Sequence, residues 1–106
     1  MSGGWGEFVL HRGVEIVHVT GTRIVIGRSE SCELTCVHSG VSRRHCTIQI
    51  GAHGVEVVDN SRYGTRLNGH EIDGAAILQS GDVLSLGNPV SEFLLISEVT
   101  ESPNGA

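Results

Sequence analysis

Glycine punctuation constrains this chain more than any other feature. Fifteen of its 106 residues are glycine, and between them the apolar residues run or alternate over only a few positions. Cys46-Thr47-Ile48-Gln49-Ile50 and Val55-Glu56-Val57-Val58-Asp59 are examples. A period of two puts successive side chains on opposite faces of a strand, and the Gly, Asn-Gly and Ser-Gly-Asp steps between such runs read as tight turns. No segment sustains a capped helical period over about ten residues. Strands about ten residues apart and bounded by turn residues predict an all-β sandwich. A chain of 106 residues forms one domain and can bury a core without staples.

Taken in order, Trp5 to Leu10 and Val14 to Val19 predict a hairpin around Arg12-Gly13, with Phe8, Leu10, Ile16 and Val17 on the first core face. Arg23 to Ile26 is a β-branched strand that delivers Gly27-Arg28 at its end. A short strand is expected over Glu33 to Cys36 and a loop over Val37 to Val41. Strands over 46–50 and 55–59 pair as a hairpin. Arg66-Leu67 turns at Asn68-Gly69 into His70 to Ile72, and strands over 76–78 and 83–86 flank Ser80-Gly81-Asp82. Glu92 to Val99 closes the domain, its run of Phe93, Leu94, Leu95 and Ile96 predicting burial on both faces. The domain is expected over 5–99, with flexible ends at 1–4 and 100–106.

The formal charge is −5, and all seven bases are arginine against twelve acids. Such a body disfavours extended contact with DNA or anionic lipid, so neither nucleic acid nor membrane is an expected partner. No run approaches the roughly 18 apolar residues of a membrane-spanning helix. Three cysteines with no secreted-protein spacing point to a reducing compartment. Five of the seven arginines, at 28, 43, 44, 62 and 66, lie in or beside three polar turn segments. These segments are Gly27-Arg28, Ser42-Arg43-Arg44-His45, and Asn60-Ser61-Arg62-Tyr63-Gly64-Thr65 with Leu67-Asn68-Gly69. If the turns converge, guanidinium forks and a hydroxyl surround one small space, which is the donor set that a phosphate needs.

The succession Gly-Arg, Ser-Arg-Arg-His, Asn-Ser-x-x-Gly-Thr-x-x-Asn-Gly, Ser80-Gly81-Asp82 and Leu86-Gly87 resembles the forkhead-associated (FHA) domain over about residues 5 to 99. The resemblance implies a twisted FHA/SMAD-like β-sandwich of about eleven short, mostly antiparallel strands with binding loops at one end. It implies a monomeric, non-catalytic module that binds phosphothreonine peptides, one part of a larger intracellular and by family habit nuclear signalling or assembly protein. No cofactor or metal is required. It assigns Arg28, Ser42, Arg44 and Arg62 to the phosphate, and Arg43, Ser61 and Tyr63 to the peptide. Gly27, His45, Gly64, Thr65 and Asn68 take structural roles, and Asp82 a turn position. Tyr63 departs from the usual asparagine, whose amide bonds the peptide backbone. A phenol cannot reproduce that donor and acceptor pair, although the run from Asn60 to Thr65 is similar to one family member's loop.

Three rivals remain at this level. Cys32, Cys36 and His38, with His45 or Cys46, are soft zinc ligands of loose spacing. Ser42, His45 and Asp59 can be written as a hydrolase triad, but no nucleophile-elbow motif surrounds the serine. The third rival, motivated by Tyr63, is an FHA-fold structural or oligomerisation module that has lost phosphate binding.

Overall fold

A computed structural model describes residues 7–19 and 21–98. The β-branched and alternating runs form eleven strands: β1 (Phe8–Arg12), β2 (Glu15–Val19), β3 (Arg23–Gly27), β4 (Leu34–Thr35), β5 (Cys46–Gly51), β6 (Gly54–Asp59), β7 (Thr65–Leu67), β8 (His70–Glu71), β9 (Ala75–Leu78), β10 (Val83–Leu86) and β11 (Glu92–Glu98). No helix occurs among the described residues. The sheets run β2-β1-β11-β10-β7-β8 and β4-β3-β5-β6-β9. Every described pairing is antiparallel except β3 with β4. The inner faces interdigitate around Phe8, Leu10, Ile26, Ile48, Leu84, Leu94 and Ile96, all fully buried, as expected where alternating strands of two sheets pack face to face.

Two expectations about the core need correction. Ile16 is 55% exposed, because the turn falls one residue later than predicted, at Gly13-Val14, and Arg12 pairs with Glu15. That register aligns Ile16 with His11 on the outer face and leaves Val17 opposite Leu10. In β11, Leu94 and Ile96 are buried while Phe93 is 60% and Leu95 38% exposed. Among the described residues the strand is covered on one side only, since none of them forms a layer outside the six-stranded sheet, and the apolar run hides an ordinary alternation. Trp5, Val99 and the two predicted ends lie outside the described residues.

The topology places three connections at one end of the sandwich. Thr65 pairs with Leu86 at the end of β7 where the loop from β6 arrives. Gly27 closes β3 beside the segment that leads into β5. At the other end Asn68, with φ of 53°, fixes the β7–β8 turn. Its Oδ1 accepts from the Val83 N–H at 2.9 Å and its Nδ2 donates to Asp82 Oδ1 at 3.0 Å.

Candidate functional site

Gly27 joins two of the three loops by backbone contact. A Cβ there would overlap the Arg43 carbonyl oxygen and stand 2.7 Å from its carbon and 2.9 Å from Arg44 Cα. Glycine is therefore needed for close approach and not for a left-handed turn, since its φ is not among the positive ones. With that gap closed, Arg28 N–H donates to Ser42 O (2.9 Å), Ser29 N–H to Arg43 O (3.1 Å) and His45 N–H to Ile26 O (2.8 Å). The Cys32 thiol donates to the same Arg43 carbonyl at 3.1 Å.

His45 ties the second loop to the third. Its Nδ1 accepts the Ser42 N–H at 3.0 Å, which puts the ring proton on Nε2, 2.9 Å from Gly64 O. The ring is fully buried. Burial pushes the imidazole below its ordinary pKa, opposed by the Gly64 carbonyl bond and the Asp59 charge. The third loop is braced from within by Asp59. Its Oδ1 accepts from Ser61 N–H (3.1 Å), Ser61 Oγ (2.6 Å) and Thr65 Oγ1 (2.8 Å), and Ser61 Oγ in turn accepts the Gly64 N–H at 2.7 Å.

These braces enclose a cleft of about 370 Å³ lined by Arg28, Ser42, Arg43, Arg62 and Tyr63. No acid lines it. The Arg28 Nε donates to Val41 O at 3.0 Å, which fixes the guanidinium plane. Its two terminal nitrogens donate no hydrogen bond to the described residues. Ser42 Oγ accepts the Arg62 N–H at 2.9 Å, so its own proton is left to donate elsewhere. Tyr63 is 43% exposed on the rim.

Of the residues expected at the phosphate, Arg28, Ser42 and Arg62 are thus brought together, and Arg44 is not. Successive residues on the turn point apart, so Arg43 takes the cleft wall while the Arg44 charge acts on Glu33. The Glu33 carboxyl is held below the usual range first by the Val25 N–H and only weakly by Arg44. Ser61 faces Asp59 and Gly64 instead of the cleft. Gly64 sits at φ +96°, where any side chain is strained, and a Cβ there would meet only the movable Glu71 carboxylate, at 2.8 Å from Oε2. Thr65 is fully buried, its hydroxyl on Asp59.

Two contributors were not assigned from sequence to the framework of the cleft. Val41 acts through a carbonyl, which leaves no signal in residue type. Asp59 did leave one, an Asx turn with a hydroxyl two positions on and another at Thr65.

The same geometry bears on the rivals. Ser42 Oγ faces Arg62 N–H and Asp59 faces Ser61 and Thr65, so His45 touches neither the serine hydroxyl nor the aspartate as a triad requires. Cys46 is fully buried, Cys36 accepts from Arg12 Nη1, and His38 pairs with Glu92 at 3.2 Å. Burial drives the Cys36 thiol up to about 11 and the Cys46 thiol higher still, unfavourable to the thiolates zinc binds. Among the described residues no three His, Cys, Asp or Glu side chains converge as metal ligands.

An eleven-stranded β-sandwich with an acid-free, three-arginine cleft built from the loops at one end defines a class of loop-bearing sandwich domains. Within it, a family model described as the FHA domain matches residues 24–87, and the chain belongs to the FHA family. It is 29% identical to nibrin of Danio rerio over 89 residues, 81% of this chain and 11% of that protein. It is 39% identical to an ABC transporter ATP-binding/permease protein of Mycobacterium tuberculosis over 64 residues, 59% of this chain and 7% of that one. The chain therefore spans about a tenth or less of the length of these curated relatives. The N-terminal FHA domain of Saccharomyces cerevisiae Rad53p, solved in complex with a phosphothreonine peptide, superposes with a TM-score of 0.80 at 20% identity. The match covers 88% of this chain and 94% of that one. At that identity the likeness speaks for the fold.

Proposed function

We propose that this domain is a non-catalytic reader of phosphothreonine in a protein or peptide partner, the Arg28 fork and the Ser42 hydroxyl taking the phosphate with help from Arg62. One observation carries the proposal. Arg28 is held at Nε by Val41 O, and it lines one cleft with Ser42, so the donor set is pre-arranged for a tetrahedral anion. The Rad53p complex with a phosphothreonine peptide supports the same ligand chemistry. Phosphorylation adds roughly −1.5 to −2 charges at neutral pH, and hydrogen bonds to charged groups contribute about 1.5–3 kcal/mol each. Two such bonds separate phosphorylated from plain peptide by on the order of a hundredfold after desolvation. Tyr63, in place of an amide, weakens reading of the peptide backbone and not of the phosphate.

Module boundaries at 5–99, membership of a larger intracellular signalling or assembly protein, and a nuclear setting belong to the same proposal. The test is titration of a phosphothreonine peptide and its unphosphorylated twin against wild type and Arg28→Ala. Selective binding that Arg28→Ala abolishes with the fold intact is expected. Equal affinity for both peptides, unaffected by the substitution, would instead indicate a structural module of the same fold.

A further inference from the structure

We infer that the outer edge of β2 is a second binding site, where an extended segment of another protein adds as a further strand and sets one apolar side chain into the pocket beside it. The segment is β-branched at alternate positions and carries no acid. The edges of the two sheets motivate this. β4 and β8 end their sheets with two residues each and β9 with four, whereas β2 ends the six-stranded sheet with five. From Val14 to Val19 the chain holds four β-branched apolar residues and no lysine, arginine or proline, so the usual guards against edge pairing are missing. Its one acid, Glu15, is held by Arg12 at 2.8 Å. The pair that flanks a two-residue hairpin, here Arg12 with Glu15, exchanges both backbone bonds. Bonding alternates from there through Leu10 with Val17 and Phe8 with Val19, so the N–H and C=O groups of Ile16 and His18 point away from β1. Among the described residues no strand lies on that side, and the Ile16 side chain is 55% exposed.

A pocket of about 190 Å³ opens along the same edge, its apolar lining supplied by Val17, Val19 and Ile24 and its charged lining by Arg23 and Glu33. Small-molecule sites run to roughly 300–1,000 Å³, so this one is sized for a single side chain. Next to the hairpin turn the two sheets are tied together, because Arg12 Nη1 donates to Thr35 O at 2.9 Å. Where β4 has not yet begun, Glu33 Oε1 takes the Val25 N–H at 2.7 Å. The gap between the sheets is left open at Val17 and Val19. Arg23 precedes Gly27 by four residues along β3, which sets the pocket roughly 13 Å from the phosphate cleft. An added strand suits both features, since main-chain bonds hold the backbone and every second side chain falls on the inner side, with Val17 and Val19, toward the pocket. Arg23 and Glu33 act on each other, which makes an inserted apolar side chain preferable to a charged one. Three of the seven arginines line the cleft, so twelve acids face only the other four across the rest of the chain, and that field repels an acidic segment. A second copy of this chain fits less well. An antiparallel pair of β2 strands centred on Ile16 or on Val17 sets Glu15 of the second copy opposite Val17 or Val19 at the mouth of the apolar pocket, and joins two bodies of charge −5.

The experiment selects from a displayed library of random, unphosphorylated twelve-residue peptides on the whole chain, with Ile16→Pro as the counter-selection. Proline there removes an outward N–H and none of the β1 bonds, and thermal melting checks its fold. The expected winners alternate Val, Ile or Thr with other residues and lack Asp and Glu. The best of them, fluorescein-labelled, should bind at least tenfold more weakly to Ile16→Pro by anisotropy. N-methylation along that peptide should cost tenfold or more at every second residue and less than threefold between. This scan uses wild-type protein and decides the matter even if Ile16→Pro does not fold. Amide shifts on binding should centre on Ile16 and His18. Winners with no alternation, an N-methyl scan without period two, or shifts centred on the loops of Arg28, Ser42 and Arg62 would overturn the inference. So would sedimentation showing a wild-type dimer that Ile16→Pro dissolves, which would give the edge to a second copy. Because the peptides carry no phosphate, each of these results leaves the phosphothreonine reading untouched.

Discussion

Replacing Gly27 by alanine tests the backbone contact beneath the cleft. The added Cβ meets only main chain: the Arg43 carbonyl oxygen, its carbon at 2.7 Å and Arg44 Cα at 2.9 Å. Carbon contacts are comfortable near 3.5–4.0 Å, so the 43–44 strip must retreat by about 1 Å. No flexible side chain can absorb that shift. The retreat strains three backbone bonds at 2.8–3.1 Å, from Arg28 N, Ser29 N and His45 N, each contributing about 1 kcal/mol. Alanine returns roughly 0.4–1 kcal/mol by restricting the unfolded chain, which gives a net loss of about 2–3 kcal/mol. Urea unfolding measures it, and Gly21→Ala is the control, because a Cβ at Gly21 meets nothing within 4 Å. The same shift carries Ser42 away from Arg28, so phosphopeptide affinity should fall more than tenfold under conditions where the variant is still folded. A Gly27→Ala protein as stable as Gly21→Ala and binding like wild type would refute the claim that this approach builds the site.

Two further outcomes follow from the other braces. Asp59→Ala releases three hydrogen bonds and should cost about 2–4 kcal/mol, whereas Asp59→Asn, which keeps an acceptor, should cost less; denaturant midpoints compare them. His45 is held neutral with its pKa below the ordinary value, so the unfolded state binds the extra proton. Its contribution is full above the unfolded pKa of about 6.5 and is lost as pH falls through the lower folded value. Unfolding free energy followed downward from neutral pH should therefore decline more steeply in wild type than in His45→Phe; equal slopes would show that the ring is not proton-linked. Stability, not peptide affinity, is the readout, because the phosphate itself takes up a proton near pH 6.

The fold was legible because period-two alternation and glycine turns are local signals, and they survive without any knowledge of the partner strand. Errors arose where burial depends on a partner. Phe93 and Leu95 read as buried on hydropathy alone, and they are exposed because none of the described residues forms a layer outside the six-stranded sheet. Ile16 moved outward because the hairpin turn sits one residue further along, and in a strand one position is one face. The resemblance assigns the phosphate to Arg44, whereas Arg43 lines the cleft, since adjacent turn residues diverge and nothing local says which side holds the cleft.

The cleft extends this distinction between local and non-local information. Its visible residues, Arg28 and Ser42, are positioned by atoms of no particular residue type: the carbonyl of Val41 on Arg28 Nε and the N–H of Arg62 on Ser42 Oγ. Those atoms are placed in turn by His45 between the loops and by the bare Cα of Gly27. Side chains that never touch the cleft therefore govern its donor geometry, and a glycine or a buried histidine can matter to affinity as much as an arginine on the wall. It also follows that transplanting Arg28, Ser42 and Arg62 onto another sandwich would not transplant the site, because the backbone spacing that aims them lies in Gly27, Val41, His45 and Asp59.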